Sequence, residues 1–153
     1  MTDDVLWYAD LALDRMLLAL RRLGDDLVNE RPDLPGANTP YAIVTHCLGV
    51  IEWWGGAVVA GRAVTRDRDA EFSAAGRIDE LVVRVDAARR QLAADVAGAA
   101  PDAVPELVFD PERPDGRTKG GVLLHVLEEL FQHLGQLELT RDVLLARGGG
   151  GTA

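Results

Sequence analysis

Between Asp4 and Leu23, the apolar residues Leu6, Leu13, Leu17 and Leu20 recur at three-, four- and seven-residue steps, which predicts a helix with one core-facing side. Gly24 is a natural stop. The connector from Arg31 through Pro32, Pro35 and Gly36 is too rich in proline and glycine to stay helical. Thr39 followed by Pro40 reads as an N-cap with proline at the first helical position, opening a second helix that runs to about Gly61. The charged stretch from Arg62 to Gly76 reads as a loop. Leu81, Val85, Ala88, Leu92 and Val96 then mark a third helix over Ile78 to Ala97, with Arg89 and Arg90 on its solvated side. A second loop contains Pro101, Pro105, Pro111, Pro114 and the pair Asp115 and Gly116; the segment from Glu106 to Phe109 within it has no partner strand and is read as loop. The fourth helix spans about Thr118 to Arg147. The prediction is an all-α domain over residues 1–147, a four-helix bundle with two long inter-helix loops, followed by a flexible tail over 148–153.

The apolar stretch from Pro40 to Gly61 raises a membrane question, but it carries His46 and Glu52 and lacks basic flanks on both sides. It is read as the most buried helix of a soluble bundle. The chain's 153 residues suit one domain with one core. Sixteen Lys and Arg against 25 Asp and Glu give a formal net charge of −9, which repels phosphate backbones and anionic lipid and so argues against nucleic-acid and membrane partners. The single cysteine, Cys47, excludes an internal disulfide, and no secretory leader pattern opens the chain, so a cytoplasmic location is expected.

The three histidines carry the candidate chemistry. In the fourth helix the apolar centre runs through Leu123, Leu127, Leu130, Leu134 and Leu137, and a bordering lane through Val122, Val126, Glu129, His133, Leu137, Thr140 and Leu144. Glu129 and His133 are the strongly polar members of that lane and lie four residues apart, within reach of one ion. His125 falls with Glu128, Gln132 and Gln136 on the polar arc, and is about 12 Å along the axis from His133. Its spacing from Glu129 is also four residues, so that pairing stays open. In the second helix His46 shares a lane with Ala42, Ile43, Gly49, Val50, Trp53 and Ala57, which should face the interior. One histidine from the second helix and a Glu/His pair from the fourth make three metal ligands, a number that leaves a coordination position for water or substrate. Blander readings exist for each part: a core histidine with a hydrogen-bond partner, a helix-surface Glu129 and His133 pair, and core packing for Trp53 and Trp54. Cys47 is turned about 100° from His46, a poor geometry for a Cys-His catalytic pair, and reads as a small buried filler.

The segments GDDLVNERP from Gly24, TPYAIVTHCLGVIEWW from Thr39 and VLLHVLEELFQHLGQ from Val122 resemble the DinB-like superfamily. Within it they resemble the branch that includes mycothiol-dependent maleylpyruvate isomerases and related thiol transferases. The resemblance covers roughly residues 4 to 147. It implies His46, Glu129 and His133 as ligands of a divalent metal, zinc or nickel, with His125 outside that set. Many members have histidine where this chain has Glu129, and glutamate there is similar to the isomerase-like branch. Gly120 and Gly121 depart from the bulkier residues of relatives, and the resemblance covers the metal-binding domain rather than the isomerase's additional one. The function implied is therefore activation of a low-molecular-weight thiol such as mycothiol for addition to an electrophilic small molecule. The alternatives are a non-catalytic metal- or small-molecule-binding bundle in stress or detoxification, or a metal-dependent hydrolase. Dimerisation through bundle faces is a further expectation.

Overall fold

The computed structural model describes residues 1–107 and 117–148. The order is α1 (Thr2–Leu27), α2 (Pro40–Val50) running on into a π-helical segment (Ile51–Val59), the short α3 (Arg68–Ser73), α4 (Ile78–Val96) and α5 (Lys119–Gly148). The described residues are all-α, as predicted, with four long helical rods and one helix, α3, inside a stretch that the sequence reads as loop. α1 lies against α5 and α4, α2 against α5 and α3, and the π segment against α4 and α5. The part of the Pro-rich loop from residue 108 to 116, including Phe109, and the tail beyond Gly148 fall outside the described residues.

The predicted lanes meet in one core. Leu13, Met16 and Leu20 of α1, Ile43 of α2, Leu81 and Leu92 of α4, and Leu123, Leu130 and Leu137 of α5 are all buried. Burying each such side chain is worth about 1.5–3 kcal/mol, which is what draws the rods together. Helix starts follow ordinary capping chemistry. The Thr39 hydroxyl accepts from the Ala42 N–H at 3.1 Å with Pro40 at the first position. The Asp67 carboxylate accepts from the Ala70 N–H at 3.0 Å and opens α3. That single cap is the signal in the sequence that separates α3 from a loop.

The stretch from Pro40 to Val59 is the one span among the described residues long and apolar enough to cross a membrane, and 78% of its apolar window is buried inside the bundle. Its second half, Ile51–Val59, is π-helical and contains Gly55 and Gly56. A β-carbon at Gly55 would stand 2.8 Å from Leu92, and one at Gly56 2.3 Å from the Arg62 guanidinium, so both glycines admit close neighbours. At the end of the segment the Val58 carbonyl accepts from the N–H groups of Glu106 and Leu107, at 2.9 and 3.3 Å, tying the second long loop to this helix.

Gly24 interrupts α1 with φ 70° and ψ 171°, and a last turn follows it. The sequence's stop signal is therefore real. The chain beyond it anchors α4: Asp25 accepts from the Ile78 N–H at 2.9 Å, and Asn29 exchanges two hydrogen bonds with the Gly76 backbone. On the other side of α4, Arg89 reaches Asp10 and Asp14 of α1, so this arginine is a clamp rather than a solvated residue. Gly24→Ala places a β-carbon in the left-handed region at a cost of about 1–2 kcal/mol, and urea denaturation is expected to show a midpoint lowered accordingly.

Candidate metal centre

Three side chains from two helices converge at the middle of the bundle. His46 of α2 is 2% exposed, and its Nε2 lies 3.7 Å from Oε2 of Glu129 on α5. The same Glu129 oxygen is 3.5 Å from Nε2 of His133, one turn further along α5. Donor atoms of all three lie within 4.8 Å of one another, and the two imidazole rings meet edge to face at 4.7 Å. The lane argument for α5 and the interior lane of α2 thus bring together the residues that the sequence singles out.

The protons of this cluster are fixed by its neighbours. Nδ1 of His46 is 2.8 Å from Oε2 of Glu71, and an ionised carboxylate can only accept, so the proton sits on Nδ1 and the Nε2 lone pair faces Glu129 and His133. That Nε2 is a buried nitrogen with no hydrogen-bond partner. Nδ1 of His133 donates to Oε1 of Gln136 at 2.8 Å, which presents its own Nε2 lone pair to the same point. Two lone pairs and a carboxylate oxygen therefore surround a position with no hydrogen among them, an arrangement that a cation satisfies. Donor atoms around a tetrahedral zinc stand about 3.3 Å apart, as bonds of roughly 2.0–2.1 Å dictate, and the measured 3.5 and 3.7 Å are close to that.

Behind His46 is a layer that the loop reading missed. Glu71 projects from α3 and is 8% exposed, and it is held by Arg66 through Nε to Oε1 at 2.7 Å and Nη2 to Oε2 at 3.0 Å. It reaches His46 only because residue 49 is glycine: a β-carbon there would lie 2.0 Å from Oε1 of Glu71. Phe72, next along α3, stacks on the His46 ring at 4.5 Å. A carboxylate that holds the far nitrogen of a ligating histidine fixes its tautomer and raises its basicity.

Burial is the largest influence on His46 and pushes its pKa below the ordinary value of 6.5, outweighing the hydrogen bond to Glu71. For Glu71, burial acts upward, but the hydrogen bonds from Arg66 and His46 together outweigh it, and its carboxyl is held below the usual range. Cys47 is fully buried, and burial, then the charges of Glu129 and Glu71, push its thiol far up. It is an inert filler and no nucleophile.

His125 lies outside this cluster but is not on an open polar arc. Its side chain is 9% exposed, its ring stands edge-on to Trp54 at 4.8 Å, Nδ1 is 3.1 Å from Glu128, and Nε2 is 3.9 Å from the other oxygen of Glu129. A helix arc alone names no neighbour, and Trp54 of the π segment supplies one. His125, Glu128 and Glu129 form a second, more open group with donor spacing compatible with an ion. A cavity of about 430 Å³ opens over the cluster, lined by His46, Val50, Trp53, Trp54, Arg66, Arg68, His125 and Glu129. The two tryptophans are thus cavity wall as well as core packing.

The described residues thus form an all-α bundle in which His46, buried, and Glu129 and His133, partly exposed, make a group that could hold a metal ion beneath an open cavity. The family model described as DinB superfamily matches residues 8–137, and the chain belongs to that superfamily. Searches among curated proteins and among solved structures found no match.

Two outcomes follow. Glu71→Ala removes the acceptor for His46 Nδ1–H and is expected to weaken zinc binding about 10–100-fold in competition with a chromogenic chelator, while Glu71→Gln, which keeps an oxygen acceptor, loses less. For the metal-free protein, His46 takes up its proton more readily when unfolded, so stability falls as pH drops below 6.5. Glu71 contributes stability that is present above its unfolded pKa and lost as pH falls through the lower folded one. Urea midpoints should therefore decline on acidification in two stages, and His46→Gln should remove the first.

Proposed function

We propose that this protein binds a divalent cation through His46, Glu129 and His133, zinc or nickel by ligand type, and uses it to activate a low-molecular-weight thiol for addition to an electrophilic small molecule. The observation that carries the reading is the buried Nε2 of His46, unpartnered and aimed at the Glu129 and His133 donor atoms. Three protein ligands, two imidazoles and one carboxylate, leave a position for substrate. A divalent cation held there supplies Lewis acidity and keeps a sulfur ligand as thiolate near neutral pH.

The chain's own residues do the rest. Glu71, clamped by Arg66, holds the His46 proton on Nδ1 and keeps the ring from turning. Gln136 does the same for His133. Trp53, Trp54 and Val50 give the cavity an apolar wall against which an apolar acceptor would rest. Cys47, buried and held protonated, supplies no nucleophile, which fits a thiol brought in from solution. The similarity of the Glu129 position to the mycothiol-dependent branch favours mycothiol as that thiol, and a reducing cytoplasm as its location. Hydrolysis or passive metal binding would use the same three ligands.

Purified protein is expected to retain about one equivalent of zinc or nickel, as befits a single three-ligand site, and His46→Ala and His133→Ala to lose it. Metal-loaded protein should consume thiol in the presence of an electrophile panel above the His133→Ala background. Metal retention without thiol consumption would sink the transfer reading, and absence of metal after growth with several divalent ions would sink the site itself.

A further inference from the structure

Large apolar side chains in solvent are not spread evenly over the bundle. Among the described residues, Trp7, Tyr8 and Leu18 of α1 and Leu124, Leu139 and Leu145 of α5 are exposed, Trp7 by 60% and Leu139 by 64%, whereas α4 shows only Val83. Aromatic rings join the two helices at this surface: Trp7 stands edge-on to Tyr8 at 4.8 Å, and Tyr8 edge-on to Phe131 of α5 at 6.2 Å. A contiguous apolar patch of this kind, with Trp and Tyr in it, marks an interaction surface. A β-carbon at Gly120 would stand 2.9 Å from the Met1 methyl at one end, and Arg147 donates to the Arg31 carbonyl at 3.4 Å at the other, so α1 and α5 run parallel. At a rise of about 1.5 Å per residue, that register puts Arg15 roughly level with Gly135, and Arg22 with Asp142. Arg15, Arg22 and Glu138 make no ion pair among the described residues, and Asp142 meets only its neighbour Arg141. The face is therefore an apolar strip with unpaired bases on its α1 side and acids on its α5 side.

We propose that this α1 and α5 face binds a second copy of the chain, in a dimer whose two-fold axis runs along the helices. Such an axis lays α1 over the partner's α5 without changing its level, and every contact occurs twice. Arg22 then meets the partner's Asp142. Arg15 comes to lie over the partner's Gly135, where nothing stands within 4 Å of a β-carbon position, and within one turn of the partner's Glu138. Trp7 and Tyr8 fall between the partner's Leu124 and the partner's Phe131, and Leu18 falls beside the partner's Leu139. An axis across the helices would instead lay acids on acids and arginines on arginines. Charge thus selects both the occupant and its direction: the face complements itself, while the acids of α5 and a net charge of −9 repel an anionic lipid surface. Two helices about 35 Å long and together about 20 Å across present roughly 700 Å² per copy, close to the roughly 800 Å² per partner of stable complexes.

Sedimentation equilibrium and light scattering of the full chain at micromolar concentration test this. Wild type should show twice the mass of one chain. Trp7→Ser combined with Leu18→Ser should be monomeric, whereas Val83→Ser, on the exposed side of α4, should remain dimeric. Arg22→Glu and Asp142→Arg each set like charges together at two symmetric places and should each weaken association about tenfold, and the two combined should restore it. All of these positions are exposed, so the variants should fold, and unchanged circular dichroism confirms that they have. A monomeric wild type, a dimer untouched by the Trp7 and Leu18 changes, or an equal loss in Val83→Ser would overturn the proposal. So would a charge exchange that stays as weak as its single variants, or a monomer that binds phosphatidylcholine vesicles through Trp7.

Discussion

The contact on which the site depends is the one between Nδ1 of His46 and the carboxylate of Glu71. It decides where the imidazole proton resides, and through that decision it turns a core histidine into a donor nitrogen aimed at two further donors. Without Glu71, a buried His46 could place its proton on Nε2 and satisfy itself on Glu129, and the cluster would be an ordinary hydrogen-bonded group. With Glu71 in place, Nε2 is left without a partner at 2% exposure. An unpaired buried acceptor costs about 1–3 kcal/mol, and on the proposed reading a cation between His46, Glu129 and His133 would remove that cost. Metal binding there would couple to folding through that orphaned nitrogen.

Several features of the fold exist in the form they do because of this arrangement. Glycine at position 49 lets α3 close on α2 until Glu71 reaches the ring. Arg66 holds both oxygens of Glu71, and Phe72 stacks on the His46 ring. The π-helical segment beyond Val50 carries Trp53 and Trp54 to the cavity and lets Trp54 cover His125. α3 closes on His46 through Glu71 and Phe72, while its first residue, Arg68, lines the cavity together with Trp53 and Trp54.

Much of this was legible in the pattern of residues. The 3.6-residue repeat defines four rods, Thr39 with Pro40 marks the start of α2, and Gly24 marks the end of the main run of α1. The same periodicity separates Glu129 and His133 from the centre of α5 and turns His46 inward. Glu71 was not legible, because it sits in a six-residue helix within an alternation of Arg62, Arg66 and Arg68 with Asp67 and Asp69 that has the composition of a solvated loop. Only its tertiary contact with His46 distinguishes it from its neighbours, and one-dimensional spacing does not contain such contacts. His125 shows the same limit: a helix arc says which side a residue faces, not whether an aromatic ring from another helix, here Trp54, covers that side. The π-helix was hidden too, since Gly55 and Gly56 are as compatible with a close-packed α-helix.

Zinc-edge X-ray absorption and anomalous diffraction on crystals grown with zinc test the central claim most directly. The account predicts one ion with two imidazole nitrogens and one carboxylate oxygen at roughly 2.0–2.2 Å, supplied by Nε2 of His46, Nε2 of His133 and Glu129. An ion bound instead by His125 and Glu128, or no ion within reach of His46 Nε2, would contradict it.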